Sequence, residues 1–337
     1  MKVGLFGVGA VGGNVAVRLL HAGHADVSLV VRERQRARIA EQGLTLRGLD
    51  GTFTVHPTST QVYTDLATLP PQDILIIGLK AGSVPDHAAA LRAALKPDGI
   101  AVFLLNGVPW WWTYGRDAEP GPLQDVDPHG ALWRTVGAER VIGAVVYSPN
   151  EVLDDGTIFN NGSNLFILGE PDRTRLGPDG APSERLRALT DLFTQSGLPV
   201  RNDADIHLEV WRKLLTNVTA NTVSALTRLS SQDRNGDPQI SALMSALRTE
   251  VIEIGQALGL ALTAEDAVLY PASSNTRPSM LQDAILQRPM EVDAIVRQTQ
   301  TLARQRGIRT PVLDTVLALL YGLDLSNRLA REAPERA

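Results

Sequence analysis

The stretch KVGLFGVGAVGG, residues 2–13, decides the fold of the first half of the chain. Its first five residues are typical of a short buried strand. Gly7, Gly9 and Gly12 then fill the spacing G-x-G-x-x-G, and residues 14–23 have the apolar spacing of a helix. A strand, a glycine turn and a helix in this order indicate a dinucleotide-binding motif, which the glycine spacing alone would not.

Each glycine of this motif has its own physical role. The first permits the tight turn, the second lets the backbone approach a pyrophosphate, and the third lets the helix pack close to the strand. The N-terminus of the helix then faces the phosphates with its unpaired N–H groups. We therefore expect the whole turn to contact the cofactor, through Gly7, Val8, Gly9, Ala10, Val11 and Gly12.

The second predicted strand covers residues 26–31, and Arg32 follows directly at its end. A site for NAD usually has Asp or Glu there, which accepts hydrogen bonds from the ribose 2′-hydroxyl. The guanidinium groups of Arg32 and Arg34 instead suit a 2′-phosphate. Two alternatives stay open: Glu33 could rotate onto the ribose, or the whole run could be a solvated charged face. We predict NADPH as the cofactor, with NADH as the less favoured alternative.

Further buried strands are predicted at residues 73–79, 99–105 and 140–148, with helical pieces between the first and the second. This order predicts a doubly wound parallel sheet of the Rossmann type. Lys80 follows one of these strands and Asn106 the next, so both should lie at the carboxyl edge, where ligands bind in such folds. The alternatives are an exposed charge and a plain Asn-Gly turn.

The second half of the chain is predicted to be nearly all helix. Residues 238–260 carry a clear apolar stripe at helical spacing, and Thr310-Pro311 caps a last helix. We therefore predict an α/β protein with a Rossmann domain over residues 1–203 and an all-helical domain over 204–326. A charged, loose tail would follow over 327–337.

One predicted helix carries an unusual polar edge, in the stretch VWRKLLTNVTAN at residues 210–221. Lys213, Asn217 and Asn221 stand four residues apart, and such positions advance by about 40° around a helix axis, so they share one side. This side is either a solvated face or a binding edge. The chain has 28 arginines and four lysines, so the choice of lysine suggests a need for an ammonium that can release a proton.

The composition excludes several classes of function. A formal net charge of −5 gives no support for binding to nucleic acid or to an anionic membrane surface. No apolar segment reaches the ~18 residues that span a bilayer. The absence of cysteine excludes thiolate sites, and the scattered histidines form no ligand set, so we expect no metal. The chain opens on a structured motif rather than a leader, which predicts a cytoplasmic protein.

With these pieces assembled, the chain resembles the ketopantoate reductase (2-dehydropantoate 2-reductase) family over most of its length. The likeness rests on GVGAVGG with Arg32, and on LKAGSV, LLNG, KLLTNVTANTVSAL and PSMLQDAILQRPMEVD. It implies a Rossmann domain joined to a helical domain like that of 6-phosphogluconate dehydrogenase. It also implies that NADPH reduces a 2-oxo acid to a 2-hydroxy acid at the interdomain cleft, with ketopantoate as the first substrate to consider.

The resemblance also implies roles for individual residues. Lys213 matches the catalytic lysine and Glu291 its partner carboxylate, which would keep the lysine charged. Charge grows on the carbonyl oxygen as hydride arrives, and an ammonium can bond that oxygen and then protonate it. The positions that match substrate-binding residues are Asn106, Asn217, Asn221 and Ser279. Those expected to contact the cofactor, besides the glycine turn and Arg32, are Lys80, Asn106 and Glu291.

The sequence departs from the family pattern in three places. Thr222 stands where pantoate-forming members usually have proline, and Ser231-Gln232 stands where they carry Asn-Gly. The run Trp110 to Trp112 has two interpretations. The indoles either pack an inserted segment onto the fold or fill an oligomer contact, or one of them forms part of the wall of the cleft. Two alternatives follow: a paralogue that reduces a bulkier 2-oxo acid or an imine, and a non-catalytic NADPH-binding sensor. A homodimer is one option for its assembly.

Overall fold

The computed structural model describes residues 1–24, 26–117, 119–266 and 277–332. The chain divides into two compact units. The first comprises Met1–Leu105 and Trp110–Ile206, and the second comprises Asn106–Pro109 and His207–Ala337. The predicted single boundary at residue 203 lies close to the end of the first unit, but the separate segment 106–109 was not predicted.

The strands of the first unit are, in chain order, β1 Val3–Phe6, β2 Val27–Val30, β3 Leu44–Gly48, β4 Gly51–Val55, β5 Val62–Tyr63, β6 Gln72–Ile77, β7 Leu95–Phe103, β8 Val141–Tyr147, β9 Asn150–Val152, β10 Ile158–Asn160, β11 Leu165–Gly169 and β12 Val200–Asn202. Its helices are α1 Ala10–His21, α2 Glu33–Gln42, α3 Ala88–Ala93, α4 Ala131–Thr135 and α5 Glu184–Gln195.

An eight-stranded sheet forms the centre of this unit, in the order β12-β11-β8-β7-β6-β1-β2-β5. Its pairs are parallel except for β8 with β11. Helix α1 buries Val15, Val17 and Leu19 completely in the hydrophobic core. The predicted Rossmann sheet is confirmed, with β1 and the glycine turn in the middle of the sheet.

A second, four-stranded sheet has the order β4-β3-β10-β9 and was not predicted. Its strands have only three to five residues. Many of their side chains are exposed or half-buried, so the sequence lacks the apolar run that indicates a buried strand.

The second unit is helical, as predicted. Its helices are α6 Ile206–Thr216, α7 Thr222–Thr227, α8 Ser231–Gly236, α9 Pro238–Ala257, α10 Ser279–Ile285, α11 Gln298–Gln305 and α12 Pro311–Glu332. Two π-helical turns, Asn217–Asn221 and Asp293–Arg297, join α6 to α7 and lead into α11.

Helix α12 extends beyond Asn327, so the loose tail predicted from residue 327 is wrong as far as Glu332. The reason is a tertiary contact: Asn327 is 5% exposed, and its Nδ2 donates to the carbonyl of Ala284, 3.3 Å away. Residues 333–337 lie outside the described part of the chain. Within the described ranges, no helix combines the length and hydrophobicity needed to cross a bilayer.

Candidate functional site

The glycine turn after β1 has the geometry that its sequence predicts. Gly7 has a φ of +91°, which favours glycine. A Cβ at Gly12 would lie 2.2 Å from the carbonyl oxygen of Gly7, so only glycine fits where the helix passes the strand. A Cβ at Gly9 would meet no atom within 4 Å. The backbone at Gly9 therefore leaves the open space that an approaching pyrophosphate needs.

The N-terminus of α1 is free to receive an anion. Gly9 precedes the helix, no side chain caps it, and its first turn has no acidic residue. The first N–H groups of such a helix carry partial positive charge and favour a phosphate. These residues fit the diphosphate of a dinucleotide, which the turn and the helix would hold through Gly7, Val8, Gly9, Ala10, Val11 and Gly12.

The end of β2 leads into α2 through exposed charged side chains. Arg32 immediately precedes α2, and the side chains of Arg32 and Arg34 are both exposed. The Glu33 carboxylate lies 3.7 Å from a guanidinium nitrogen of Arg36. The Nε2 of Gln35 donates to the carbonyl of Val8 at 2.5 Å, which ties α2 to the glycine turn. Arg32 therefore stands beside a fixed turn, with Glu33 close to another basic side chain.

Lys80 lies three residues after the end of β6, in the first unit. Its side chain is half-buried, and its carbonyl accepts hydrogen bonds from the N–H and the hydroxyl of Ser83. Since β6 is the neighbour of β1 in the sheet, Lys80 and the glycine turn both follow the carboxyl ends of adjacent parallel strands.

In the second unit, four of the predicted residues form one chain of hydrogen bonds. Asn221 Nδ2 donates to Asn217 Oδ1 at 3.1 Å, and Asn217 Nδ2 donates to Asn106 Oδ1 at 3.4 Å. Asn106 Nδ2 donates to the Glu291 carboxylate at 3.2 Å. An ionised carboxylate can only accept hydrogen bonds, so the Nδ2 of Asn106 faces Glu291 and its Oδ1 faces Asn217. Asn217 and Asn221 have the same orientation, because each donates from Nδ2 to the Oδ1 of the next amide in the row. Each side-chain amide has two N–H groups, and its bond in this row uses one of them.

The loop that carries Asn106 is fixed by its next two residues. Gly107 has a φ of +87°, and a Cβ there would lie 2.4 Å from the carbonyl oxygen of Ala294. The N–H of Val108 donates to that same oxygen at 2.8 Å. Ala294 belongs to the π-helical turn Asp293–Arg297, which begins two residues after Glu291. The loop thus binds to the segment that carries its carboxylate partner.

The other π-helical turn changes how the polar edge of α6 is arranged. In a regular α-helix, Lys213 and Asn221 would differ by about 80° around the axis. A turn closed by i→i+5 hydrogen bonds is wider, so each residue advances by a smaller angle. The turn Asn217–Asn221 therefore brings Asn221 back toward the side of Lys213. This turn was not predicted, because the run contains neither glycine nor proline.

Lys213 lies in the last turn of α6, directly before this π-helical turn. Its side chain is half-buried, and its neighbours include the fully buried Trp211, Leu214 and Leu215. Burial disfavours the charged form and lowers the pKa of the Lys213 ammonium from 10.5 to about 8. Such an ammonium holds its proton at neutral pH but releases it far more readily than an exposed lysine.

The remaining predicted residue, Ser279, is not joined to this chain of amides. It is the first residue of α10, and its side chain is exposed. Within the described ranges, no hydrogen bond links it to Asn106, Asn217 or Asn221. Its assignment to the substrate remains a prediction. The described residues also contain no group of three or more acidic, histidine or cysteine side chains that could hold a metal.

The three consecutive tryptophans pack inside the first unit. Trp110, Trp111 and Trp112 are only 1–2% exposed. Trp110 meets Phe103 edge-to-face with ring centroids 5.5 Å apart, and the guanidinium of Arg116 lies 4.8 Å from the ring centre of Trp112. The ring of Trp111 packs against Gly143 of β8, where an added Cβ would lie 3.0 Å from it. This burial supports the packing alternative for these indoles.

Comparisons with known proteins agree with this geometry. The family described as ketopantoate reductase PanE/ApbA matches residues 3–173, and its C-terminal family matches residues 205–324. The 2-dehydropantoate 2-reductase of Mesorhizobium japonicum is 36% identical over 96% of this chain and 98% of its own.

Solved structures share the fold. One from Ralstonia solanacearum MolK2, provisionally assigned as a ketopantoate reductase, has a TM-score of 0.85 and 30% identity, and the match covers 96% of this chain and 98% of that one. A D-mandelate dehydrogenase solved with NADH and anilino(oxo)acetate has a TM-score of 0.80 at 18% identity, over 97% and 99% of the two chains. This last likeness concerns the fold alone.

Proposed function

This chain belongs to the ketopantoate reductase family, and from that premise we propose that it uses NADPH to reduce a 2-oxo acid, with ketopantoate the first candidate and Lys213 the general acid. Reduction of a 2-oxo acid to a hydroxy acid by a pyridine nucleotide is the reaction of this family. The observation that carries the proposal is the directed row of amides from Asn221 to Glu291, in which Asn217 stands one helical turn after Lys213.

The first unit would hold the cofactor. The glycine turn and the uncapped N-terminus of α1 fit a diphosphate, Arg32 would bond the 2′-phosphate, and Lys80 would add a positive charge. Asn106 and Glu291 are proposed to contact the cofactor as well. When bound, NADPH supplies the hydride.

The second unit would hold and protonate the substrate. Asn217 and Asn221, and by the family resemblance Ser279, can donate to carboxylate and hydroxyl oxygens without competing for the transferred proton. The Lys213 ammonium would bond the carbonyl oxygen as negative charge grows on it and then protonate it. Glu291 fixes the direction of the amide row through Asn106, and by the family resemblance it would favour the charged form of the lysine.

The proposal is tested by following the absorbance of NADPH, at a fixed starting concentration, in the presence of each member of a panel of 2-oxo acids and matched imines. We expect oxidation with at least one small branched 2-oxo acid. A bulkier substrate remains the second candidate, although buried tryptophans no longer favour it. Tight binding of NADPH without turnover on any member of the panel would contradict a reductase and favour a sensor.

The choice of NADPH depends on Arg32. Replacing Arg32 with alanine should weaken NADPH by about tenfold or more, the cost of one charge-assisted hydrogen bond, and should leave NADH nearly unchanged. Dissociation constants from quenching of protein fluorescence measure both. Arg36→Ala, on the same exposed helix, serves as the control and should affect neither nucleotide. Equal losses for both nucleotides in Arg32→Ala would rule out a phosphate-binding role.

We propose that the protein forms a homodimer through apolar side chains on the second unit. Leu319, Leu325 and Leu329 of α12, and Leu286 at the end of α10, are each 45–56% exposed. The bond from Asn327 to Ala284 joins these two helices. We infer that the exposed side chains of both contribute to one apolar surface, and such surfaces mark interfaces.

Light scattering after size exclusion should show a dimer for the natural protein and a monomer for the double variant Leu325→Lys, Leu329→Lys. The control is Leu49→Lys, which changes a side chain 79% exposed in the first unit and should leave the dimer intact. A natural protein that stays monomeric at high concentration would refute the dimer.

A further inference from the structure

Arg234 is a buried charged residue outside the predicted site. It lies in α8 and is 1% exposed. Helix α8 begins with Ser231-Gln232, one of the places where the sequence departs from the family pattern that it resembles. A buried guanidinium is costly unless its N–H groups find partners, so its contacts indicate what it does.

The guanidinium of Arg234 reaches the π-helical turn that carries the two site amides. Its Nη1 donates to the carbonyl of Ala220 at 3.0 Å and to the hydroxyl of Ser224 at 2.6 Å. Its Nε and Nη2 donate to Asn235 Oδ1, at 3.2 and 3.1 Å. Ala220 stands directly before Asn221, inside the π-helical turn.

The carbonyls of a π-helical turn accept from the i+5 N–H groups, and here side-chain donors add further bonds to the backbone in and around the turn. Two come from the helix itself: the Thr219 hydroxyl donates to the carbonyl of Leu215 at 2.6 Å, and the Thr222 hydroxyl donates to that of Val218. Threonines make such bonds in ordinary helices too, where they cause slight bending. Arg234 differs, because its bond to Ala220 comes from another helix and is assisted by charge.

We propose that Arg234 is a positioning residue that holds the π-helical turn at residues 217–221, and thereby keeps Asn217 and Asn221 in line with Asn106. The assignment of these amides to the substrate rests on the proposed function. The bond at Ala220 sets the rotation of the turn, and the rotation sets the direction in which both amides point. Arg234 acts through the backbone and does not touch the reacting atoms.

Two variants test this role, and they are expected to differ in the size of the loss. Arg234→Met keeps the aliphatic stem but removes every donor, so it should raise the KM for the oxo acid by about tenfold, as the loss of a charge-assisted hydrogen bond predicts. The dissociation constant of NADPH should stay within about twofold of the natural value, since the glycine turn belongs to the first unit. Arg234→Lys restores one donor and should recover part of the loss.

Hydrogen exchange measured by mass spectrometry supplies a readout that does not need turnover. Amides of residues 217–225 should exchange faster in Arg234→Met than in the natural protein, and at an intermediate rate in Arg234→Lys. The control is Arg185→Met, which removes another largely buried arginine, bound to Glu170 in the first unit. It should lower stability without changing exchange at 217–225 or the KM for the oxo acid.

An unchanged KM and unchanged exchange in Arg234→Met would overturn the proposal. So would faster exchange with no change in KM, because the turn would then not position the amides. If Arg234→Met does not fold, Arg234→Lys decides: a KM equal to that of the natural protein overturns the role, and a raised KM with unaltered NADPH binding supports it. If the natural protein reduces no oxo acid, the proposed function fails, and exchange alone still tests the contact of Arg234 with the turn.

Discussion

Replacing Lys213 with alanine is expected to lower kcat by about two to four orders of magnitude, the range that general acid catalysis contributes. The affinity for NADPH should change little, because the glycine turn lies in the other unit. Steady-state kinetics and a separate binding titration measure the two effects. Lys96→Ala, which removes a half-buried lysine paired with Asp73, is the matched control and should retain full activity.

A second variant separates the proton from the charge. Lys213→Arg keeps a positive side chain, but a guanidinium does not release a proton in this pH range. It should therefore be nearly as impaired as the alanine variant if proton transfer is the essential role. Full activity in Lys213→Arg would show that the charge alone suffices, and retained turnover in Lys213→Ala would remove the assignment of the acid.

The lowered pKa of Lys213 gives this prediction a pH dependence. A general acid must be protonated, and burial places the pKa of this ammonium at about 8 rather than 10.5. The value of kcat/KM should therefore be level below about pH 8 and fall about tenfold per unit above it. With an exposed lysine, the level region would extend about 2.5 pH units higher, from 8 to 10.5. A profile that stays flat to pH 10 would contradict the assignment of Lys213 as the acid.

Replacing Gly107 with alanine should have the second largest effect. The alanine must adopt a φ of +87° and would place its Cβ 2.4 Å from the carbonyl oxygen of Ala294. Backbone strain of about 1–2 kcal/mol then adds to the loss of the Val108 bond, worth about 1 kcal/mol. Unfolding in urea should show at least about 2 kcal/mol of destabilisation. Because Asn106 moves with the loop, kcat/KM should fall by about tenfold or more.

Gly322→Ala is the control for Gly107→Ala. It lies in α12 of the same unit, and an added Cβ there would meet no atom within 4 Å. Since alanine is the better helix former, this variant should be neutral or more stable by up to about 1 kcal/mol. Equal effects of the two substitutions would show that the loop does not depend on its left-handed glycine.

The polar edge of α6 shows how far a pattern in the sequence reaches. Spacing and chemical type placed Lys213, Asn217 and Asn221 on one side of a helix. The predicted site residues Asn106, Asn217 and Asn221 do form a chain of hydrogen bonds that ends at Glu291. Regular helical geometry could not supply the π-helical turn, since it depends on Arg234 from another helix. The role of Arg234 could not be predicted from the sequence either, because a single arginine in a polar stretch gives no indication that it is buried.

The sequence by itself determined what depends on neighbours along the chain. The glycine turn, the strands beside it and the apolar stripes of the helices follow from local sterics and from periodic burial. Tertiary structure alone decided that Asn106–Pro109 belongs to the second unit, that the indoles are buried, and that α12 continues past Asn327. Each of these depends on contacts between residues far apart in the chain, whose free energy no local pattern records.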